Sequence, residues 1–285
     1  MGKFRFRKRK HKVRARRGVP VRSMIPNLVT LMAAASGITS IRYSCSGYEG
    51  HSRNAVIAII IACVLDGLDG RVARMLRATS KLGAELDSLA DFVSFGVAPA
   101  LFVYFWIMET VARDSAAYSF RGLFWALALF YAMCCAFRLA RFNIMLDGGP
   151  TQPHWKPFFM GLPAPGAAGL VLTPAIWHLH TGASFLQSPW IGGGMLLLCG
   201  ILMASRFPTL SAKNLHVPPR YLMPVLLTVM FLIGMLVSQF WLTLGIIGIL
   251  YLLSIPVCGA VFRNLSRREH RKTAAAPSPP PTAQD

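Results

Sequence analysis

From about residue 24 to residue 262 the chain runs as a succession of apolar stretches separated by short polar joints. This pattern constrains the fold more than any motif does. Hydrocarbon offers no water to satisfy backbone N–H and C=O groups, so a chain of this kind must close its hydrogen bonds within each segment, as helices. The stretches fall at 26–41, 54–75, 82–112, 120–145, 157–179, 188–206, 220–238 and 240–262. The expected fold is therefore all-α, a polytopic transmembrane helical bundle of about eight spans, although the first is short and the joint at 238–240 is tight. Only 14% of residues are charged, against roughly a quarter in a soluble domain.

The thirty Lys and Arg residues are unevenly placed, eleven of them in 1–22 and five in 263–272. A basic balance can mark a nucleic-acid binder. Here the basic runs flank apolar spans, so anionic lipid headgroups are the expected partner and nucleic acid is not. With the N-terminus inside, the inner segments hold twenty-six of the basic residues and the outer joints only Arg42, Arg53, Arg113 and Arg121. The positive-inside rule then puts both termini in the cytoplasm of a multi-pass inner-membrane protein. Three regions follow: a basic cytoplasmic arm over 1–22, a membrane domain over 23–262, and a basic then Pro-rich, disordered cytoplasmic tail over 263–285. The N-terminus is too basic before its first apolar run for a cleavable signal peptide. Six cysteines, none in a CxxC pair, suggest neither zinc nor disulfides.

The most informative residues are the acidic ones. Of eleven in the chain, Asp66, Asp69, Glu85, Asp87 and Asp91 crowd into 66–91. Four carboxylates near membrane helices would cost on the order of 10 kcal/mol if left uncompensated. Asp66 and Asp69 are three apart and share a face of one helix, while Asp87 and Asp91 are four apart and share a face of the next. A helix hairpin turning at 76–81 brings all four together near one membrane boundary. Like charges so placed call for a divalent metal pair, and an all-oxygen donor set suits Mg²⁺ or Mn²⁺. Small residues (Gly67, Gly70, Ala73, Gly83) leave room for a ligand, and Arg71, Arg74, Arg77 and Lys81 lie at the same level. Carboxylates, metal and arginines together are equipment for binding a pyrophosphate and displacing one half of it. A cation transporter would spread its carboxylates through the membrane depth, yet spans five to eight contain none.

Asp66-Gly67-Leu68-Asp69-Gly70-Arg71-Val72-Ala73-Arg74, followed by Gly83, Asp87 and Asp91, resembles the signature D-x2-D-G-x2-A-R-x8-G-x3-D-x3-D of the CDP-alcohol phosphatidyltransferases at every fixed position. Phe137-Arg138-Leu139-Ala140-Arg141-Phe142-Asn143 is similar to a stretch of the phosphatidylserine synthase branch. So are Ser94–Pro99, Gly161-Leu162-Pro163, Ser205–Pro208 and Pro26–Thr30. The resemblance implies a six-helix family core with added spans. It implies transfer of a phosphatidyl group from CDP-diacylglycerol to the hydroxyl of L-serine, with release of CMP, in phospholipid synthesis. Glycerol phosphate, inositol phosphate or choline are the alternative acceptors. Asp66, Asp69, Asp87 and Asp91 would hold two divalent ions, and Asp91 would also take the acceptor's proton. Gly70, Ala73, Arg74 and Ser80 would meet CDP-diacylglycerol, with Asn27 and Thr30 at its nucleotide end. Arg138, Arg141, Asn143 and Ser94 are the candidates for the acceptor. Relatives suggested by the resemblance are often homodimers. Arg206 and Lys213 read as marks of an inside loop, and His178 and His180, two apart, do not share a helix face and so do not suggest a metal site.

Overall fold

The computed structural model describes residues 24–274, except Glu49, Thr79, Asp114 and the segments 148–157, 206–207 and 211–220. The basic arm over 1–22, the Pro-rich end of the tail, Arg206 and Lys213 lie outside the described residues. Helices follow one another as expected: α1 Met24–Ser44, α2 His51–Met75, α3 Lys81–Asp91, α4 Ala98–Thr110, the single turn α5 Ala116–Ser119, α6 Arg121–Asp147, α7 Ala164–Thr181, α8 Pro189–Ala204, α9 Leu222–Ser238 and α10 Phe240–Ala274. A π-helical turn over Phe92–Val97 joins α3 to α4, so that Lys81–Thr110 forms one unbroken rod. Among the described residues, four segments are long and apolar enough to cross a membrane, namely Met24–Ser44, Lys81–Thr110, Arg121–Ile144 and Phe240–Gly259; α8 and α9 are apolar but shorter. The architecture is a helical membrane bundle.

Local chemistry sets the helix ends. Ser80 caps α3, its hydroxyl accepting the Gly83 N–H at 3.0 Å. α2 ends with Arg77 in the left-handed region (φ 49°), where the Ala78 N–H reaches back to Ala73 O at 3.0 Å. α7 ends on Gly182 (φ 70°), whose N–H bonds His178 O. Pro163 explains why α7 starts at Ala164 rather than at the expected 157, because Leu162 before it is pushed out of the helical region, while Pro165 sits in the first turn of the helix, where no N–H is needed. The backbone just upstream instead forms a short strand, β1 Phe158–Met160, paired antiparallel with β2 Pro208–Leu210. This ribbon ties the α6–α7 connection to the α8–α9 connection. At the other end, α10 continues beyond the expected 262 through the basic run to Ala274.

The π turn sits at the centre of the packing. Pro99 has no N–H to give to Phe95 O, which lies one helical turn earlier. The ladder widens there, with the Ala98 N–H bonding Val93 O, and the Tyr131 hydroxyl of α6 donates to Phe95 O at 3.0 Å. Phe95, Phe102, Phe124, Tyr131, Leu172 and Leu196 are fully buried around this point. α1 runs along α2 and crosses the π turn at Gly37, where a Cβ would come within 2.8 Å of Ser94 Cα. α6 packs on α8, and α7 on α10, while α9 has no buried residue and rests chiefly on α10.

Candidate active site

α2 and α3 form the predicted hairpin, and it does what the spacing implied. One carboxylate oxygen each from Asp66, Asp69 and Asp87 lie within 4.8 Å of one another. Asp91, one turn after Asp87, stands against Asp66 with the two carboxyls in hydrogen-bonding reach. Three like charges so close, with a fourth beside them, are untenable as bare carboxylates. Their donor set is all oxygen and fits hard divalent cations. Asp69 is the most enclosed, only 5% exposed, and the Thr30 hydroxyl of α1 donates to its Oδ2 at 2.6 Å. Thr30 thereby orients a carboxylate of the cluster, where the sequence suggested contact with the nucleotide.

The glycines expected to make room do so in two ways. Among the described residues nothing lies within 4 Å of a Cβ placed on Gly67 or Gly70, so this flank of α2 is left open by them. Gly83 instead allows a close crossing, since an added Cβ would meet Asn27 Oδ1 at 3.0 Å and Ser80 Oγ at 3.2 Å. Asn27 and Ser80 are thus brought together at the α1–α3 crossing. Arg74 is exposed on the same flank as Gly70, its Nε bonding Gly70 O at 3.0 Å, with Ala73 half-buried beside it.

The four acceptor candidates separate. Arg138 is half-buried on α6, and its neighbours in electrostatic range are Asp91, Arg141, Cys135 and Tyr251. Its Nε is buried without a hydrogen-bond partner among the described residues. A guanidinium N–H held from water and unpaired is costly, and an anionic ligand would remove that cost. Arg141 is engaged elsewhere: Nη1 donates to Ala204 O and Nη2 to Ser205 O, each at 3.3 Å, at the C-terminal end of α8. A cation there is favoured by the helix dipole. Gly161 (φ 80°) packs against the same group, its would-be Cβ 3.4 Å from Arg141 Nη2. Asn143 pairs with Ser88 on α3, its Nδ2 donating to Ser88 Oγ at 3.0 Å. Ser94 is 1% exposed and donates to Ala33 O at 3.2 Å, so its hydroxyl joins the π turn to α1 and faces no ligand space.

Three participants were not singled out from sequence. Ser88 holds Asn143, Tyr131 satisfies Phe95 O, and Tyr251 of α10 approaches Arg138. Pro99 was a signal for the second, because it predicts an orphaned carbonyl four residues back. Tyr251 has no local signal, since an isolated Tyr in an apolar span reads as packing. It lines an apolar cavity of about 280 Å³ between α2, α7 and α10, shared with Cys63, Val64, Phe95, Leu172 and Leu244.

Residues 23–205 match the family model described as CDP-alcohol phosphatidyltransferase. The chain belongs to the CDP-alcohol phosphatidyltransferase family. A second match, described as CDP-alcohol phosphatidyltransferase 2, covers residues 220–256, so the family patterns span α1 to α8 and then α9 with most of the apolar part of α10. Among curated relatives, the CDP-diacylglycerol–serine O-phosphatidyltransferase of Mycobacterium leprae is 36% identical over 243 residues, covering 85% of this chain and 76% of the relative. The protein of the same name from Helicobacter pylori is 38% identical over 189 residues, 65% of this chain and 72% of the relative. The archaetidylserine synthase of Methanothermobacter thermautotrophicus is 36% identical over 186 residues, 64% and 67% respectively. As a member of this family with several membrane-length apolar helices, the protein is a multi-pass membrane enzyme.

Proposed function

We propose that the enzyme transfers the phosphatidyl group of CDP-diacylglycerol to the hydroxyl of L-serine, releasing CMP. The observation that carries an anionic acceptor is Arg138, whose buried Nε has no hydrogen-bond partner among the described residues and lies in the electrostatic range of Asp91; among anionic acceptors, the resemblance of Phe137–Asn143 favours serine over a phosphorylated alcohol. An acceptor bearing a carboxylate would pair with that guanidinium and bring its hydroxyl to Asp91. The names of the relatives point the same way.

Asp66, Asp69 and Asp87, with Asp91, would hold two divalent ions, Mg²⁺ or Mn²⁺. When bound, these ions neutralise the diphosphate and stabilise the departing CMP. The protein's own groups do the rest. Arg74 and the open flank at Gly67 and Gly70 receive the diphosphate, with Ala73 and Ser80 beside it and Asn27 towards the nucleotide. Thr30 holds Asp69 in position. The apolar cavity next to Cys63, one turn before Asp66, suits an acyl chain of the lipid substrate. Arg138 grips the serine carboxylate, which aligns the hydroxyl for attack, a gain in orientation. Asp91 accepts the hydroxyl proton as the new oxygen–phosphorus bond forms and the bond to the CMP phosphate breaks. In this reading the site and both termini face the cytoplasm of an inner membrane, and the basic arm and tail meet anionic lipid rather than nucleic acid. A homodimer is part of the proposal on the resemblance alone.

The test is CMP release by purified protein from labelled CDP-diacylglycerol, with serine, glycerol phosphate, inositol phosphate and choline offered separately. Turnover is expected with serine, lost in excess chelator and restored by Mg²⁺ or Mn²⁺. Turnover on another alcohol but not on serine would overturn the acceptor. Full activity in chelator would overturn the metal site.

A further inference from the structure

We propose that Tyr251, on α10, is an acceptor-specificity residue whose hydroxyl hydrogen-bonds the carboxylate that Arg138 holds. This rests on serine being the acceptor. Tyr251 is half-buried and lies in electrostatic range of Arg138. Its hydroxyl position is set by a close crossing, because Gly166 of α7 presents no Cβ. A Cβ there would come within 2.8 Å of Tyr251 Oη and 3.0 Å of Cε1, with Pro163 Cγ alongside at 3.2 Å. The ring is therefore packed against α7 while the hydroxyl makes no hydrogen bond among the described residues. Tyr131, the other tyrosine near Arg138, already donates its hydroxyl hydrogen bond to Phe95 O. Among the described residues, Arg138 Nε from α6 and Tyr251 Oη from α10 are thus both donors without a hydrogen-bond partner, within electrostatic range of each other.

Two donors on different helices suit a single carboxylate. Its two oxygens offer about four acceptor positions, so a guanidinium leaves lone pairs for a phenol. A hydroxyl acceptor without an anionic group, such as ethanolamine, which shares the ammonium and the hydroxyl of serine but lacks the carboxylate, would leave both donors unpaired in a partly dry site. A site built to hydrogen-bond a substrate group rejects the analogue that lacks it. Tyr251 would accordingly contribute to discrimination between the two alcohols and not to binding of the lipid substrate. The same ring borders the apolar cavity, and contact with the lipid is the competing role.

The experiment compares wild type with Tyr251→Phe, a variant that keeps the ring and its packing. Serine, ethanolamine and CDP-diacylglycerol are each varied to saturation. The expected result is a KM for serine raised about tenfold, which is about 1.4 kcal/mol, with the KM for CDP-diacylglycerol unchanged. The serine-to-ethanolamine ratio of kcat/KM should fall by about the same factor. Gly166→Ala, which crowds the hydroxyl out of place, should shift that ratio in the same direction and serves if Tyr251→Phe does not accumulate. A raised KM for CDP-diacylglycerol, or equal losses on both alcohols, overturns the proposal and gives Tyr251 a lipid or packing role. Wild type that does not use serine overturns the acceptor assignment itself, and that outcome is read before any variant is made.

Discussion

At the level of single residues, the site divides into side chains that stand free for ligands and side chains spent on the fold. Asp91 belongs to the first group. Asp91→Asn removes the proton acceptor while keeping volume, and is expected to lower turnover at least about 10²-fold with normal membrane insertion. CMP release measured beside expression level checks this, and near-normal turnover would exclude Asp91 as the base. Arg138 and Arg141 look equivalent in sequence but occupy different environments. Arg138→Lys should raise the KM for serine about tenfold or more, because an ammonium cannot form the planar fork, and leave the KM for CDP-diacylglycerol unchanged. Arg141→Ala should instead lower thermal stability by about 1–3 kcal/mol, the cost of leaving the α8 carbonyls unbonded, with kcat falling for all acceptors alike. A serine-specific effect at Arg141 would contradict its assignment to α8.

At the level of elements, the rod from Lys81 to Thr110 carries half of the carboxylate cluster and also the central packing. The π turn between these halves lies directly after Asp91, and its orphaned carbonyl depends on Tyr131. Tyr131→Phe should therefore destabilise the protein by about 1–3 kcal/mol, the usual cost of a buried unsatisfied acceptor. A thermal shift in detergent checks this, and an unchanged midpoint would show that another donor serves Phe95 O. The α1 crossing is tighter still. A Cβ at position 37 would strike Ser94 backbone, which cannot rotate away as a side-chain tip can. Gly37→Ala should cost about 1–3 kcal/mol and also lower activity, because α1 carries Asn27 and Thr30 to the site.

Across the described part of the molecule, one group of aromatic residues collects at the end opposite the carboxylates. Tyr43, Tyr48, Trp106, Trp177, Trp190 and Trp241 lie at helix ends away from the Asp cluster, with Arg53 over the Trp241 ring. Such aromatic residues favour the membrane interface. Cys45, exposed in the α1–α2 joint, is on that aromatic end. With exposed Cys63 replaced by Ala, an impermeant maleimide added to intact cells should label Cys45 if the carboxylate end faces the cytoplasm. Labelling only after lysis would reverse the orientation.

The sequence alone determined the helices and the carboxylate site, because both are written in short-range periodicity. Apolar runs must be helical in hydrocarbon, and Asp66, Asp69, Asp87 and Asp91 are arranged by 3- and 4-residue spacing within one hairpin. The starts and ends of elements were less legible. The segment before Ala164 is apolar enough to read as span, yet Gly161, Pro163 and a strand partner fifty residues away keep it out of the helix. Only the tertiary structure decided what each polar side chain is for. Ser94, Thr30, Arg141 and Asn143 all meet partners on other helices, at Ala33, Asp69, Ala204 and Ser88. No local pattern encodes those encounters. The same holds for Tyr251, which packs against Gly166 of α7 and comes into electrostatic range of Arg138 because α10 folds back on α7, an encounter between residues distant in the chain. Hydropathy and spacing act over a few residues, whereas the use of a donor depends on which helix packs against it.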